Sequence, residues 1–325
     1  MKKITVVIPC YNGYKYMGNC LSSLENQTYK HFKVIIVDDC STDNTYEELL
    51  KYQSETKLDL TVIRNKQNMR CAVTRSEGVK NANTEWVCFC DCDDWYEMDF
   101  LEKMMTKADE TDADVVMCHF NYAYSDGTKK FLPGLNVLTE TSTKEEFIAF
   151  TPMSLCRFIF KRHLYEDLSI PHINSAEDGA VTPQLLAKSN KITIVHEGLY
   201  NYFIRSDSLS STPSKSVYFD YLTAQRTIDD AIQQRYPEEC EFLAIKNFCY
   251  GAILNGIKAK VDLGTLKKDY YKFLTQHPKW FKNKYMFSLS KKRKIFLFML
   301  RCKMFLGLRW FSSLHTKFSH RGGKL

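Results

Sequence analysis

Several common patterns are missing from this sequence, and each absence argues against a class of protein. No Gly-x-Gly-x-x-Gly or Walker-type glycine loop follows a strand-like segment, which argues against a dinucleotide-binding fold and a P-loop enzyme. The 12 cysteines include no Cys-x-x-Cys pair, so a zinc site is not expected. The first apolar segment is too short for a secretory signal, and cysteines scattered through such a chain indicate reduced thiols in the cytoplasm.

Acidic residues are missing from the C-terminal end of the chain. The last one is Asp269, and 14 of the 45 lysine and arginine residues follow it. Residues 1–269 therefore hold 31 basic and 38 acidic residues, a net charge of −7, so the overall charge of +7 comes from the tail. The acidic body and the lack of a recognised binding module argue against nucleic acid as a partner.

The basic tail has two interpretations. Its apolar stretches are interrupted by charge and are too short to span a bilayer. A basic helix rich in Phe, Leu and Trp favours the surface of an anionic membrane. The alternative is an ordinary terminal helix whose apolar face packs on the body of the protein. We favour the membrane surface because the whole tail lacks acids, and we expect a cytoplasmic protein, peripheral on the inner face of the cell membrane.

Strand-like and helical segments alternate along the first part of the chain. Apolar and β-branched runs predict strands at 3–9, 32–37, 60–64, 86–90 and 113–120, and helical spacing predicts helices at 14–27, 43–56, 73–81 and 99–111. Later segments predict a helix at 144–150, strands at 156–161 and 191–196, and mostly helical structure over 217–325. The predicted fold class is α/β, with a mostly parallel central sheet flanked by helices and a helical C-terminal region.

The feature around which the chain is organised is the end of the strand at 86–90. Asp91, Asp93 and Asp94 follow this strand directly, and Asp38 and Asp39 follow the strand at 32–37. Because parallel strands end at one edge of a sheet, these acids are expected to converge on one cleft. Carboxylate oxygens suit Mg²⁺ or Mn²⁺, and the alternative is an acidic turn that caps the next helix.

The order of these segments resembles the family 2 glycosyltransferases. Residues 6–12 (VVIPCYN), 23–29 (SLENQTY) and 37–43 (VDDCSTD) are similar to the nucleotide-binding half of that family. Residues 91–95 (DCDDW) are similar to its Asp-x-Asp motif. The resemblance extends over about residues 3–215 and implies a GT-A fold, a nucleotide-sugar donor, a divalent metal (Mn²⁺ or Mg²⁺) and inversion at the anomeric carbon.

Two later segments belong to the same resemblance. Glu177 and Asp178 are similar to the family's later acidic pair, although acids at a helix N-terminus also complement the helix dipole. Tyr202, Arg205 and Ser210 are similar to a segment of capsule and lipopolysaccharide members. By resemblance, Asp178 would be the general base that removes the proton of the acceptor hydroxyl.

The resemblance also implies a set of residues that bind the nucleotide sugar. They are Pro9, Tyr11, Asp39, Arg75, Asp91, Cys92 and Asp93, with Cys92 included for its place in the motif. Pro9, Tyr11 and Asp39 would line the nucleobase. Asp91 would face the ribose, and Asp93 would hold the metal that bridges the phosphates. Secondary candidates are Glu177, His196 and Arg205, although His196 is more simply a packed or capping residue.

One residue departs from the family pattern. Arg70 stands where the family commonly has glycine before the fourth strand. Its cation would contribute to phosphate binding or would lie on the surface. The resemblance divides the chain into a nucleotide-sugar-binding half at 1–98, an acceptor-binding half with the base at 99–216, and a helical C-terminal region at 217–325.

Together these features predict a glycosyltransferase of the hexosyl or N-acetylhexosaminyl type. The expected donor is a UDP-sugar, and the expected acceptor is a saccharide or lipid-linked oligosaccharide of a surface polysaccharide. A homodimer is left open. The alternatives are a sugar nucleotidyltransferase, which would need a glycine-rich loop after the first strand, and a non-catalytic scaffold at the membrane surface.

Overall fold

The structure is a computed structural model that describes residues 2–132, 137–205 and 213–312. Two compact units make up the chain. The first contains residues 1–172 and 177–208, and the second contains residues 173–176 and 209–325. Ser210 of the predicted capsule-type segment lies outside the described residues. The division of the first unit at residue 98 stays a prediction.

The first four strands form the parallel part of the sheet, with helices between them. In chain order the elements are β1 (Ile4–Cys10), α1 (Gly18–Glu25), β2 (Phe32–Asp38), α2 (Thr45–Glu55), β3 (Leu60–Arg64), α3 (Arg70–Asn81) and β4 (Trp86–Phe89). Their spatial order is β3-β2-β1-β4, and all three pairings are parallel. β1, β2 and β4 are almost wholly buried, as expected where helices cover both faces of a sheet, whereas the outer strand β3 is only partly buried.

The second half of the first unit completes the sheet with strands of both directions. Its elements are β5 (Trp95–Tyr96), α4 (Phe100–Thr111), β6 (Val115–Ala123), β7 (Lys129–Leu132), α5 (Lys144–Phe150), β8 (Phe158–Lys161), α6 (Glu177–Lys188) and β9 (Ile192–Phe203). The sheet continues from β4 through β8, β6 and β9 to β5, and β7 pairs with β6. Among the described residues of this half, β6 and β9 are the parallel pair and the other pairings are antiparallel, so the whole sheet is mixed. The parallel strands β1–β4 lie within the half predicted at 1–98.

β1 and β9 both end later in the sequence than predicted. β1 continues past Pro9 to Cys10, because β4 has already ended on the side that the missing Pro9 N–H would face. β9 runs unbroken from Ile192 to Phe203, with a register irregularity opposite Cys118, His119 and Phe120 of β6. Because β9 runs in the same direction as β4, its C-terminal end reaches the acidic turn after β4.

The described part of the second unit is helical, as predicted. It contains α7 (Lys215–Ile232), α8 (Pro237–Ala244), a π-helical segment (Ile245–Ala252), α9 (Ile253–Lys258), α10 (Leu263–Gln276) and α11 (Lys291–Arg301), followed by a helical stretch at 305–312. Among the described residues no helix is both long enough and apolar enough to cross a membrane.

Candidate active site

A buried arginine joins two of the predicted site carboxylates. Arg75 lies on α3, and only 2% of its side chain is exposed. Its Nη2 lies 2.6 Å from Asp91 Oδ1, and its Nη1 lies 2.5 Å from Asp178 Oδ1. These two ion pairs join residues that are 16 and 103 positions apart in the sequence. The structure therefore brings the Asp-x-Asp turn and the predicted base together on one guanidinium.

The position of Asp178 is fixed from two sides. It lies in the first turn of α6, and its second carboxylate oxygen accepts a hydrogen bond of 3.1 Å from the backbone N–H of Leu155. Burial raises the pKa of Asp178 above its usual range, although Arg75 acts in the opposite direction. Burial and the neighbouring Asp178 raise the pKa of Glu177 to about 7. Asp178 is thus an oriented carboxylate that is more basic than an exposed aspartate.

The other predicted acid of the turn has a different partner. Asp93 Oδ2 lies 2.8 Å from Arg205 Nη2, and the Arg205 guanidinium lies 4.0 Å from the ring centroid of Tyr16. The Asp93 side chain is 23% exposed, so ligands can reach it. Asp91 and Asp93 therefore carry separate ion pairs, and Arg205 belongs to the same cluster of charges.

A hydrogen-bond relay between β9 and the acidic turn was not found from the sequence. The Tyr200 hydroxyl donates to Asp94 Oδ2 at 2.6 Å and accepts from the Asp91 N–H at 3.2 Å. Asp94 also accepts a bond of 2.8 Å from the Phe203 N–H. Asp94 and Tyr200 are each 1% exposed, and burial raises the pKa of Asp94 well above its usual range. The third acid of the turn therefore holds the turn on β9 instead of facing a ligand.

We expect Tyr200→Phe to loosen this turn without changing the core. The variant keeps the ring but removes both hydroxyl bonds, so we expect a loss of stability of about 1–3 kcal/mol and a higher KM for the donor. Chemical denaturation and donor titration would measure the two effects. Tyr271→Phe, at a 45% exposed tyrosine, is the control and should change neither. Wild-type stability and KM in Tyr200→Phe would contradict the positioning role.

The acids after β2 are separated by β1 from β4, and they have structural partners. Asp38 is fully buried and lies 3.2 Å from Arg64 Nε, so it does not join the cleft as expected. Asp39 accepts hydrogen bonds from Asn65 Nδ2 and from the backbone N–H groups of Met69 and Arg70, at 2.7–2.9 Å. Two adjacent acids that look alike in sequence thus have different surroundings, and only Asp39 lies at the loop that leads into α3.

The first strand places the remaining nucleotide-side residues at its end. Pro9 is buried within β1, and Tyr11 follows the strand with 47% of its surface exposed. An exposed ring at this edge can stack on a base. Cys92 lies beside the end of β1: a Cβ added at Gly13 would be 2.9 Å from Cys92 Sγ and 3.0 Å from Cys10 Sγ. The Cys92 thiol therefore points toward the loop after β1.

Arg70, the residue that departs from the family pattern, has an unusual backbone conformation. Arg70 has φ +71°, a left-handed conformation that favours glycine, and its side chain is exposed. We expect Arg70→Gly to raise the free energy of unfolding by about 0.5–1 kcal/mol, measured by chemical denaturation. Arg70→Ala keeps the strained backbone and should bring no gain. A destabilised Arg70→Gly would contradict this explanation of the family's glycine.

His196 lies away from these charges. Its Nδ1 is 3.4 Å from His119 Nε2, and it lines a groove on the α4 side of β9 together with Lys103, Glu140 and Glu197. Burial lowers the pKa of His119 to about 4. The structure thus brings His196 together with a second histidine and not with Asp91 or Asp93.

The side chains at this site suit a metal ion that binds together with a substrate. Of the residues described, no three His, Cys, Asp or Glu side chains are grouped so that they could enclose a metal. Mg²⁺-like ions need only one or two carboxylates when phosphate oxygens and water supply the rest. Asp93 is a partly exposed carboxylate at a sheet edge, so the residues present fit an ion that arrives with a diphosphate.

Comparison with known proteins assigns the chain to a family. The model of glycosyl transferase family 2 matches residues 5–169, just over half of the chain. The chain belongs to this family. The glycosyltransferase GlyA of Streptococcus pneumoniae is 30% identical over 220 residues, which are 64% of this chain but only 31% of that protein. The putative teichuronic acid biosynthesis glycosyltransferase TuaG of Bacillus subtilis is 28% identical over 230 residues, 69% of this chain and 88% of that protein.

A solved structure confirms the fold class. The crystal structure of TarS residues 1–349 from Staphylococcus aureus, in complex with UDP-GlcNAc, has a TM-score of 0.68 at 22% identity. The match covers 97% of this chain and 92% of that one. At this identity the likeness establishes the GT-A fold alone. The prediction that the protein is a glycosyltransferase is confirmed by its family.

Proposed function

We propose that this family 2 member is an inverting, metal-dependent enzyme that transfers a sugar from a UDP-sugar to a hydroxyl of a growing surface polysaccharide. The observation that carries the proposal is the Arg75 bridge, because it places the predicted base Asp178 beside the Asp-x-Asp turn. Support for the donor comes from TarS, whose structure holds UDP-GlcNAc. Support for the acceptor class comes from the name of TuaG, which is given for teichuronic acid biosynthesis.

The nucleotide would lie at the end of the parallel strands. Tyr11 would stack on the base, Pro9 would shape the wall beside it, and Asp39 would accept a hydrogen bond from it. Asp93 would hold Mn²⁺ or Mg²⁺ together with the diphosphate, and the ion would neutralise the charge that grows on the leaving group. Arg205 now pairs with Asp93. It is therefore placed to move onto the diphosphate when the donor binds.

The acceptor side would be organised by Asp178. Its carboxylate would take the proton of the acceptor hydroxyl as that oxygen attacks the anomeric carbon. Arg75 and the Leu155 N–H hold the carboxylate in one orientation, and burial makes it more basic than usual. Because the Asp178 carboxylate is already oriented, the donor, the acceptor and the base need no further ordering before they react. This supplies part of the rate acceleration.

A panel of nucleotide sugars tests this proposal. UDP-, GDP- and dTDP-sugars would be titrated into the protein by calorimetry with Mn²⁺ and again with EDTA. We expect a UDP-sugar to bind at least tenfold more tightly with Mn²⁺, and Asp93→Asn to lose most of that difference. Absence of metal-dependent binding of any donor would contradict the proposal. Exchange of pyrophosphate into the donor would instead favour the nucleotidyltransferase, and binding without turnover would favour the scaffold.

We further propose that the second unit docks on an anionic membrane. Ile295, Phe298, Leu306 and Trp310 are 53–74% exposed on α11 and the helical stretch after it. Seven basic side chains share the exposed surface of this segment, namely Lys291, Lys292, Arg293, Lys294, Arg301, Lys303 and Arg309. The opposite side of the segment packs within its own unit, where Phe296 contacts Tyr250. Exposed apolar side chains beside lysine and arginine suit an anionic lipid surface.

Liposome binding tests the docking surface. We expect Phe298→Ser combined with Trp310→Ser to weaken binding to vesicles with phosphatidylglycerol at least tenfold, measured by co-sedimentation. Phe131→Ser, at a 47% exposed phenylalanine of the first unit, is the matched control. Unchanged binding of the double variant would leave the membrane proposal without support from this surface.

A further inference from the structure

An arginine next to the active site is buried without a counter-ion. Arg157 ends the short 3₁₀ turn Leu155–Arg157 before β8, and it is 2% exposed. Its Nε and Nη1 are buried and have no hydrogen-bond partner. No ion pair joins it to a carboxylate among the residues described. Its guanidinium carbon lies 3.9 Å from the ring centroid of Phe120.

Burying a charged arginine in this way destabilises the protein unless a ligand pairs with it. Burial lowers the pKa of Arg157 to about 10, so the guanidinium stays charged at neutral pH. Removing an ion from water is unfavourable even after relaxation. The contact with Phe120 recovers only part of that free energy. An oxyanion with matching acceptor oxygens would recover the rest, since guanidinium groups pair best with carboxylate and phosphate.

The turn that carries Arg157 also touches the catalytic groups. The Leu155 N–H donates to Asp178, and Cys156 Sγ lies 3.6 Å from Arg75 Nη2. Arg157 follows at once, so its backbone lies two residues from the contact with the proposed base. Although burial lowers the pKa of Arg157, the Asp178 carboxylate acts in the opposite direction, so the two charges lie close enough to interact, and an anion on Arg157 would lie near the proposed base.

Aromatic rings border the same position. Tyr122 and Tyr202 lie on β6 and β9, are each only partly buried, and have ring centroids 6.0 Å apart. The ring centroid of Phe120 lies 6.4 Å from that of Tyr202 and 3.9 Å from the guanidinium carbon of Arg157. Partly exposed aromatic rings with one buried polar group are typical of small-molecule subsites. The rings would contact the sugar body, and Arg157 would select its charged substituent.

We infer that Arg157 is the receptor for an oxyanion, a carboxylate or a phosphate, carried by the sugar substrate of the proposed transferase. The inference rests on the proposed function and adds the chemical class of the substrate. Two sources share this chemistry: a uronate sugar on the donor, and an acidic sugar or sugar phosphate on the acceptor. In either case the tyrosine side chains must move enough to admit the anion to the buried nitrogens.

Two binding measurements separate the sources. In the donor arm, UDP-glucuronate and UDP-glucose compete for the protein in the presence of Mn²⁺. In the acceptor arm, the UDP-loaded protein is titrated with glycerol 3-phosphate and glucuronate, and with glycerol and glucose as neutral counterparts. We expect the charged member to bind about tenfold or more tightly in one arm, a difference that a charged hydrogen-bond pair supplies.

Substitutions connect the preference to Arg157. Arg157→Met should abolish the preference while UDP affinity stays within twofold, and Arg157→Lys should retain part of it. Arg162→Met, at a partly exposed arginine that pairs with Glu166 on the same segment, is the control and should keep it.

Several results would overturn the inference. They are a wild-type protein without charge preference in both arms, and a preference that survives Arg157→Met. If Arg157→Met does not fold, the wild-type arms and Arg157→Lys still decide. Failure of UDP itself to bind the wild-type protein would contradict the proposed function instead, because UDP affinity is measured separately.

Discussion

Asp178→Asn is expected to lower the turnover number of sugar transfer by about 10²- to 10⁴-fold, the usual contribution of a general base. The amide keeps the size of the side chain and its bond to the Leu155 N–H, but it cannot take a proton. UDP affinity should stay within about threefold, because Asp178 is proposed to act on the acceptor side. Release of UDP from the preferred donor, followed by a coupled assay, measures turnover, and calorimetric titration measures the affinity for UDP.

The neighbouring acid provides the matched control. Glu177 shares the first turn of α6 and is also largely buried, but it makes no ion pair with Arg75. Glu177→Gln should lower turnover by less than tenfold. Full activity in Asp178→Asn, or a larger loss in Glu177→Gln than in Asp178→Asn, would move the base assignment away from Asp178.

The pH profile follows from the same pair. A base works in its ionised form, and the pKa of Asp178 is raised, so activity should rise with pH through a value above that of an ordinary aspartate. Glu177, with a pKa of about 7, adds negative charge beside Asp178 as the pH rises. Removing that charge in Glu177→Gln should move the rising limb to lower pH. A limb that does not move would show that the two acids are not coupled.

Arg75→Met is expected to be the most damaging single substitution for stability. It leaves the carboxylates of Asp91 and Asp178 without their shared cation, in a site where the Arg75 side chain is 2% exposed. Breaking a buried pair in this way costs about 3–5 kcal/mol, so the midpoint of denaturation should fall sharply. Turnover should fall with it, because Asp178 loses its orienting contact.

A lysine at position 75 tests the geometry of the bridge separately from its charge. Arg75→Lys keeps the charge but offers one ammonium group, which cannot hold two carboxylates in the same fork. It should be more stable than Arg75→Met and still lose most of its turnover. Arg162→Met, at a partly exposed surface pair, should stay within about 0.5 kcal/mol of the wild type. Wild-type stability and turnover in Arg75→Met would contradict the central role of the bridge.

The sequence was sufficient for the local part of the fold. The predicted strand at 60–64 and the helix at 144–150 have the bounds that the structure shows, because polar residues flank both segments. The mixed second half of the sheet was harder. Antiparallel insertion of β8 between β4 and β6 depends on pairings across about 40 to 75 residues, which no local pattern records.

The candidate site shows the same division. Asp91, Asp93, Asp178, Arg75 and Arg205 were all named from motifs, whereas the ion pairs that join them depend on tertiary contacts. A relay such as Tyr200 to Asp94 links residues 106 positions apart. Arg157 carries no signal of its own in the sequence, since an arginine after an apolar turn is commonly a surface residue. Burial alone distinguishes it.

The stereochemistry of the product tests the central claim most directly. A single base, Asp178, acting on an acceptor hydroxyl requires direct displacement at the anomeric carbon. Proton NMR of slow hydrolysis of a UDP-α-sugar, recorded before the free sugar mutarotates, reports which anomer forms first. We expect the β-anomer; first appearance of the α-anomer would contradict inversion with Asp178 as the base.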